Sequence, residues 1–103
     1  MKKHYRQGDV LLLKIKDKLP ADAIKQDNKK RVVLAYGEVT GHAHAVSTDY
    51  ATMYTWNGAR LLEVKEGGKL VHEEHSTIPL EPGLYEVRQQ REYHPEAIRN
   101  VTD

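Results

Sequence analysis

Turn-forming residue pairs divide this chain into short segments, and the close spacing of these turns is what most limits the folds it can adopt. Asn57-Gly58 is the strongest of these signals, because both residues tolerate the positive φ of a type I′ hairpin turn. Gly67-Gly68 and Pro82-Gly83 mark two further turns. The runs between the turns are short and apolar or β-branched, which is typical of strands: residues 8–15, 31–36, 51–56, 60–65, 69–80 and 84–93.

This pattern predicts an all-β protein. We expect a small antiparallel barrel or sandwich of about seven short strands. Helix is limited to one or two short turns, which the positions of Pro20 and Pro95 would permit.

Length and composition favour one domain spanning residues 1–103. The chain has no cysteine, which excludes disulfides, cysteine-based zinc sites and thiol catalysis. No apolar run approaches the roughly twenty residues of a membrane span, and the basic N-terminus lacks the apolar core of a signal peptide. We therefore expect a cytoplasmic protein with no membrane partner.

Histidine carries the main functional signal, because four of the six histidines fall in two clusters. His42 and His44 lie in the glycine-flanked run GEVTGHAHAV. Residues i and i+2 of an extended segment share a face, so these two imidazoles could hold one ion together. The second cluster is HEEH, from His72 to His75. Nitrogen donors with nearby carboxylates and no sulfur suit a divalent metal such as Zn²⁺, Mn²⁺, Fe²⁺ or Ni²⁺.

The alternation of residues 69–80 predicts which face of the second cluster lies inside. Leu70, Ile78 and Leu80 put the even-numbered face inward, with His72 and Glu74 on it. A buried carboxylate is costly unless it is paired, protonated or bound to a cation. The buried position expected for Glu74 therefore also points to a site.

From these patterns we predict His42, His44 and His72 as metal ligands, with His75 or Glu74 as a fourth candidate. Two histidines at i and i+3 face opposite ways in a regular strand, so His72 and His75 can act together only across a bulge. If three ligands leave one coordination position open, the ion would hold a water and a free carboxylate could act as the base. Glu74 and His75 are accordingly the predicted catalytic residues.

A second polar face and an uneven charge distribution suggest ligands and partners. Gln89, Arg91 and Tyr93 share one face of the last predicted strand, and we predict that they line a ligand pocket in which Arg91 could bind a phosphate or carboxylate. Residues 1–31 hold ten Lys and Arg against four Asp. This basic third could meet an anionic nucleic acid or protein partner, but a solvated surface is the favoured interpretation, because the charges alternate with strand residues and do not form one block.

Four motifs cover nearly the whole chain: QGDV, GEVTGHAH, HEEH and QREY. In these the chain resembles a family of small bacterial and phage proteins, a resemblance that implies no activity. The paired HxH also makes the chain similar in part to cupins, which implies a metal-binding β-barrel with dioxygenase or isomerase activity. Asp49 stands where a cupin has Glu, and Glu86 stands where its later His would lie.

The sequence leaves two classes of function open. The first is a β-domain whose histidine-rich site binds a divalent metal, or a small anionic or nucleotide-like ligand, and acts as a metal-dependent hydrolase. The alternative is a non-enzymatic phage or bacterial accessory module that binds a protein or nucleic acid. The histidines could also form a hydrogen-bonded pocket without metal, and a homo-oligomer is compatible with either class.

Overall fold

The computed structural model describes residues 4–37 and 41–89, and this part of the chain is entirely β with no helix. All pairings between its strands are antiparallel. Seven strands have four or more residues and three have only two, so the predicted all-β class is confirmed. The strands are β1 (His4–Gln7), β2 (Val10–Ile15), β3 (Ile24–Lys25), β4 (Arg31–Tyr36), β5 (Ala43–Ser47), β6 (Ala51–Trp56), β7 (Ala59–Val64), β8 (Lys69–Leu70), β9 (Ile78–Pro79) and β10 (Gly83–Gln89).

Six of these strands form one sheet in the order β1-β2-β10-β7-β6-β3, which does not close into a barrel. The predicted Asn57-Gly58 hairpin joins β6 to β7, with φ of 50° and 81° at its two turn residues. A second tight hairpin joins β1 to β2, where Gln7 pairs with Val10 across Gly8 and Asp9. Gly8 has a φ of 59° and takes the first turn position, which a type II′ turn reserves for glycine.

The remaining strands form two small ribbons, β4-β5 and β8-β9. Val71 links the ribbons through two backbone hydrogen bonds with Ala45, of 3.0 and 2.9 Å. Buried side chains of both ribbons join those of the large sheet in one hydrophobic cluster, so the core lies between sheet and ribbons, as in a small sandwich. Its largest fully buried members are Tyr85, Leu12, Leu34, Leu62, Leu70, Val10, Val32 and Val46.

The predicted continuous strand over residues 69–80 is wrong. Residues 71–77 form a loop between β8 and β9, which we call the HEEH loop. Leu70 and Leu80 are both buried, but they lie on opposite sides of this loop and do not share one continuous strand. The face argument therefore fails for Glu74, whose side chain is 62% exposed.

The two expected helical turns differ in outcome. After Pro20 the chain makes a single turn closed by a 3.1 Å hydrogen bond from Ala23 N to Pro20 O, and it then enters β3. The turn expected after Pro95 lies outside the described residues. Within residues 4–37 and 41–89, the structure contains no helix that could cross a bilayer.

Candidate metal centre

The two histidine clusters meet at one place, where β5 and the HEEH loop face the β1-β2 hairpin. The His44 ring lies 4.3 Å from the His72 ring and 5.6 Å from the His75 ring, measured between centroids. His72 and His75 are 4.7 Å apart, and the His42 ring lies 5.7 Å from that of His72. Imidazoles that are thirty residues apart in sequence thus become direct neighbours.

Two sets of potential ligand atoms lie close enough to share an ion. In each set the atoms are within 4.8 Å of one another: His44, His72 and His75 form the first, and His42, His72 and Glu73 form the second. A tetrahedral zinc with Zn–N bonds of about 2.0–2.1 Å needs about 3.4 Å between ligand nitrogens. The ligand atoms of the first set would therefore approach one another by no more than roughly 1.4 Å per pair on binding.

His44 is the most constrained member of the cluster. It is only 3% exposed, and its Nδ1 lies 2.8 Å from Oε1 of the buried Gln7. The Gln7 amide nitrogen donates to Leu70 O at 3.1 Å and to Ser76 O at 2.9 Å. Since both amide hydrogens are used, Oε1 must face His44 as an acceptor, and His44 must carry its proton on Nδ1. The lone pair of Nε2 is then free to bind an ion.

Glycine leaves the space beside that lone pair open. A Cβ added to Gly8 would lie 3.0 Å from His44 Cε1, 3.3 Å from His44 Nε2 and 3.1 Å from His75 Nε2. A Cβ added to Gly37 would similarly come within 3.0 Å of His72 Nε2. Gly8 and Gly37 therefore permit the backbone to approach the imidazoles closely, as glycines beside ligand sites do.

His72 has the opposite arrangement of protons. Its Nδ1 accepts a 3.0 Å hydrogen bond from the backbone N–H of Glu74, so the neutral ring carries its proton on Nε2. If Nε2 binds an ion, Nδ1 becomes protonated and can no longer accept that bond. If Nδ1 binds the ion, its lone pair is taken. Metal binding by neutral His72 therefore breaks the Glu74 hydrogen bond, whereas His44 is ready to bind as it stands.

Three carboxylates lie beside the rings, and each has different contacts. Asp9 Oδ1 lies 3.5 Å from His44 Nε2, while Oδ2 accepts a 2.9 Å hydrogen bond from Gln89. Glu73 accepts a 2.9 Å bond from the backbone N–H of Ala43, which holds the pKa of this carboxyl below its usual range. The exposed Glu74 lies 3.6 Å from the otherwise unpartnered Nδ1 of His42. A bare nitrogen lone pair beside a carboxylate, as at His44 and Asp9, gives a negative potential that favours a cation nearby.

The pKa of His44 is lowered, first by burial and next by the neighbouring imidazole of His72. His75 acts in the same direction, while Asp9 and Glu73 partly oppose the shift. His44 is thus neutral at neutral pH, the form in which histidine binds metals.

This shift gives the metal-free protein a pH-dependent stability. Because the pKa of His44 is lower in the folded chain than its unfolded value near 6.5, the unfolded chain binds more protons below that pH. We expect the free energy of unfolding to fall as the pH drops from about 7.5 to 5.5. Urea unfolding in the presence of a chelator measures it. The decline should be smaller in His44→Asn, and an equal decline in that variant would contradict the assignment to His44.

The structure distributes the sequence-predicted residues unevenly. The predicted ligands His44 and His72 lie in the first set, and His42 lies in the second. His75, predicted as catalytic, falls among the potential ligands of the first set, while Glu74 lies at the exposed edge beside His42. Gln89 contacts Asp9 and so borders the cluster. Its predicted pocket partners, Arg91 and Tyr93, lie outside the described residues.

Three participants were missed from the sequence: Gln7, Asp9 and Glu73. The first two belong to the QGDV motif, for which the sequence alone indicated no functional role. Gln7 contacts residues 63 and 69 positions further along the chain, a separation that no local pattern reveals. Glu73 was missed because the strand predicted over residues 69–80 placed Glu74, and not Glu73, on the inward face.

Comparison with known proteins identifies a family but no activity. A family model described as "Domain of unknown function (DUF8820)" matches residues 6–90, a span that holds all the histidines of the cluster. No curated protein and no solved structure gives a significant match.

Proposed function

Since the chain belongs to the DUF8820 family, whose description states no activity, we propose a function from the site: the protein binds one divalent metal ion through His44, His72 and His75. The observation that carries this proposal is the approach of three imidazole ligand atoms to within 4.8 Å around the buried His44. Three neutral nitrogen donors favour Zn²⁺ among common ions, with Mn²⁺, Fe²⁺ and Ni²⁺ as competitors.

A three-histidine set leaves one coordination position for water, which suits hydrolysis. A zinc held by these three residues would supply a bound water with a pKa of about 7. Asp9, whose Oδ1 lies 3.5 Å from His44 Nε2, would take a proton from that water and give it to the leaving group of a small phosphate or carboxylic ester. In this proposal Asp9 takes the role of base that the sequence assigned to Glu74.

Elemental analysis of untagged protein, dialysed against Zn²⁺ and then against metal-free buffer, tests binding. We expect about one zinc per chain. A content below about 0.2 equivalents for Zn²⁺, and equally for Mn²⁺, Fe²⁺ and Ni²⁺, would end the proposal.

Hydrolysis is tested separately, on the zinc-loaded protein with p-nitrophenyl phosphate and p-nitrophenyl acetate. Substituting Asp9 by Asn removes the base and leaves the three imidazoles. We expect the turnover rate to fall by roughly 10²- to 10⁴-fold in Asp9→Asn with zinc content retained. Full zinc occupancy without turnover, or with turnover equal in both proteins, would leave a metal-binding protein and remove the hydrolase.

A further inference from the structure

We infer that Gln7 is a positioning residue for the proposed metal site, which sets the tautomer of His44 and anchors the HEEH loop through one buried amide group. The expected effect of Gln7 on metal affinity rests on the proposed function. The expected effect on the His44 tautomer does not, because it applies to the metal-free protein.

The geometry of the Gln7 side chain leaves it one orientation. Gln7 is 3% exposed, so an amide atom that lost its partner would be left unpaired in the protein interior, which is destabilising. Both carbonyls that receive its hydrogens, Leu70 O and Ser76 O, are acceptors only. Rotating the amide by 180° would place Oε1 against these oxygens and the amide nitrogen against His44, with loss of one buried and one partly buried hydrogen bond. The observed orientation is therefore enforced, and the proton on His44 Nδ1 with it.

The two carbonyls also define what Gln7 holds in place. Leu70 and Ser76 lie on either side of residues 71–75, the segment that carries His72 and His75. One amide group therefore binds the backbone on both sides of this segment and simultaneously keeps the His44 lone pair on Nε2, which borders the same Gly8 position as His75 Nε2. Gln7 ends β1, immediately before the glycine that leaves room between those two rings. The N-terminal hairpin thus orients ligands from both histidine clusters.

This arrangement differs from simple core packing, because a packing role needs the volume of Gln7 and not its oxygen. Methionine has nearly the same length and no hydrogen-bonding amide. Glutamate keeps acceptor oxygens for His44 but, when ionised, cannot donate to Leu70 and Ser76. The pair Gln7→Met and Gln7→Glu therefore separates tautomer control from loop anchoring.

The test is a long-range ¹H–¹⁵N correlation spectrum of the metal-free protein at pH about 8, above the ordinary histidine pKa near 6.5. For wild type we expect His44 to show the Nδ1–H tautomer alone. In Gln7→Met the Nε2–H tautomer should become substantially populated, and in Gln7→Glu the Nδ1–H tautomer should persist. Gln26→Met is the matched control, because the Gln26 side chain donates a 3.4 Å hydrogen bond to Thr55 Oγ1 of β6 and the backbone bond from Gln26 N to Met53 O is kept in the variant. It should leave His44 unchanged.

Zinc affinity, measured by competition with a chromophoric chelator, gives the second readout. Loss of a partner that orients a metal-binding histidine weakens binding by about 10- to 100-fold, which we expect for Gln7→Met and not for Gln26→Met. An Nε2–H tautomer in wild type, or an unchanged Nδ1–H tautomer in folded Gln7→Met, overturns the inference. If Gln7→Met does not fold, an Nε2–H tautomer in wild type or in Gln7→Glu overturns the inference. Correct tautomers without zinc binding in wild type would instead overturn the proposed function.

Discussion

Replacing His44 with asparagine should weaken zinc binding by at least about 100-fold, more than the 10- to 100-fold typical of losing an orienting partner. His44 is the buried ligand of the set, and its Nε2 binds without a change of tautomer. The asparagine amide nitrogen can occupy the position of Nδ1 and keep the hydrogen bond to Gln7. The variant therefore removes the ligand atom without leaving a buried acceptor unpaired, which would itself cost about 1–3 kcal/mol.

The matched control for this substitution is His4→Ala. His4 is an exposed histidine at the start of β1 and belongs to neither set of potential ligands. Competition with a chromophoric chelator, on variants shown by circular dichroism to be folded, should give wild-type affinity for His4→Ala. Wild-type affinity in His44→Asn would show that zinc is held by other groups.

Zinc should also stabilise the folded protein strongly. A ligand at 100 times its dissociation constant adds about 2.7 kcal/mol to the free energy of unfolding. For a domain of about this size each kcal/mol raises Tm by roughly 4–8 °C, so we expect a rise of about 10–20 °C that EDTA reverses. Differential scanning calorimetry with and without zinc measures it.

Two glycine substitutions test whether this stabilisation arises at the proposed position. Gly8 and Gly58 both have positive φ, of 59° and 81°, so alanine strains the backbone at either place. Only at Gly8 does the new Cβ meet side chains, those of His44 and His75; at Gly58 it meets nothing within 4 Å. We expect Gly58→Ala to keep the full zinc-dependent rise in Tm and Gly8→Ala to lose most of it. Equal rises in both would contradict an ion held between His44 and His75.

The fold class could be predicted from the sequence because turns and short strands depend on residues that are adjacent in the chain. Asn57 and Gly58 form the expected turn, since the positive φ of both residues is a property of the dipeptide and the twist of its strands. The long strand expected over residues 69–80 failed for the opposite reason. Leu70 and Leu80 have matching parity only because of the number of residues in the loop between them. After Leu70 the backbone leaves β9, and Val71 pairs with Ala45 instead.

For the candidate site, too, the features that depend on nearby residues could be predicted, and those that depend on distant contacts could not. Spacing alone identified the histidines as a group, because HxH and HEEH concentrate imidazoles in two short segments. Which of them share a set depends on the path of the HEEH loop, which is fixed by Gln7 and by the bond from Ala43 to Glu73. These contacts join distant parts of the chain, so periodicity carried no information about them. The tautomers of His44 and His72, likewise, depend on partners that only the folded chain provides.

The most direct measurement is anomalous diffraction at the zinc edge from crystals of untagged protein grown with one equivalent of zinc. We expect a single strong peak about 2.0–2.1 Å from His44 Nε2 and from one nitrogen each of His72 and His75, with the Glu74 N–H no longer bonded to His72. Zinc bound elsewhere, with the three rings left as they are and His44 still bonded only to Gln7, would contradict the proposed centre.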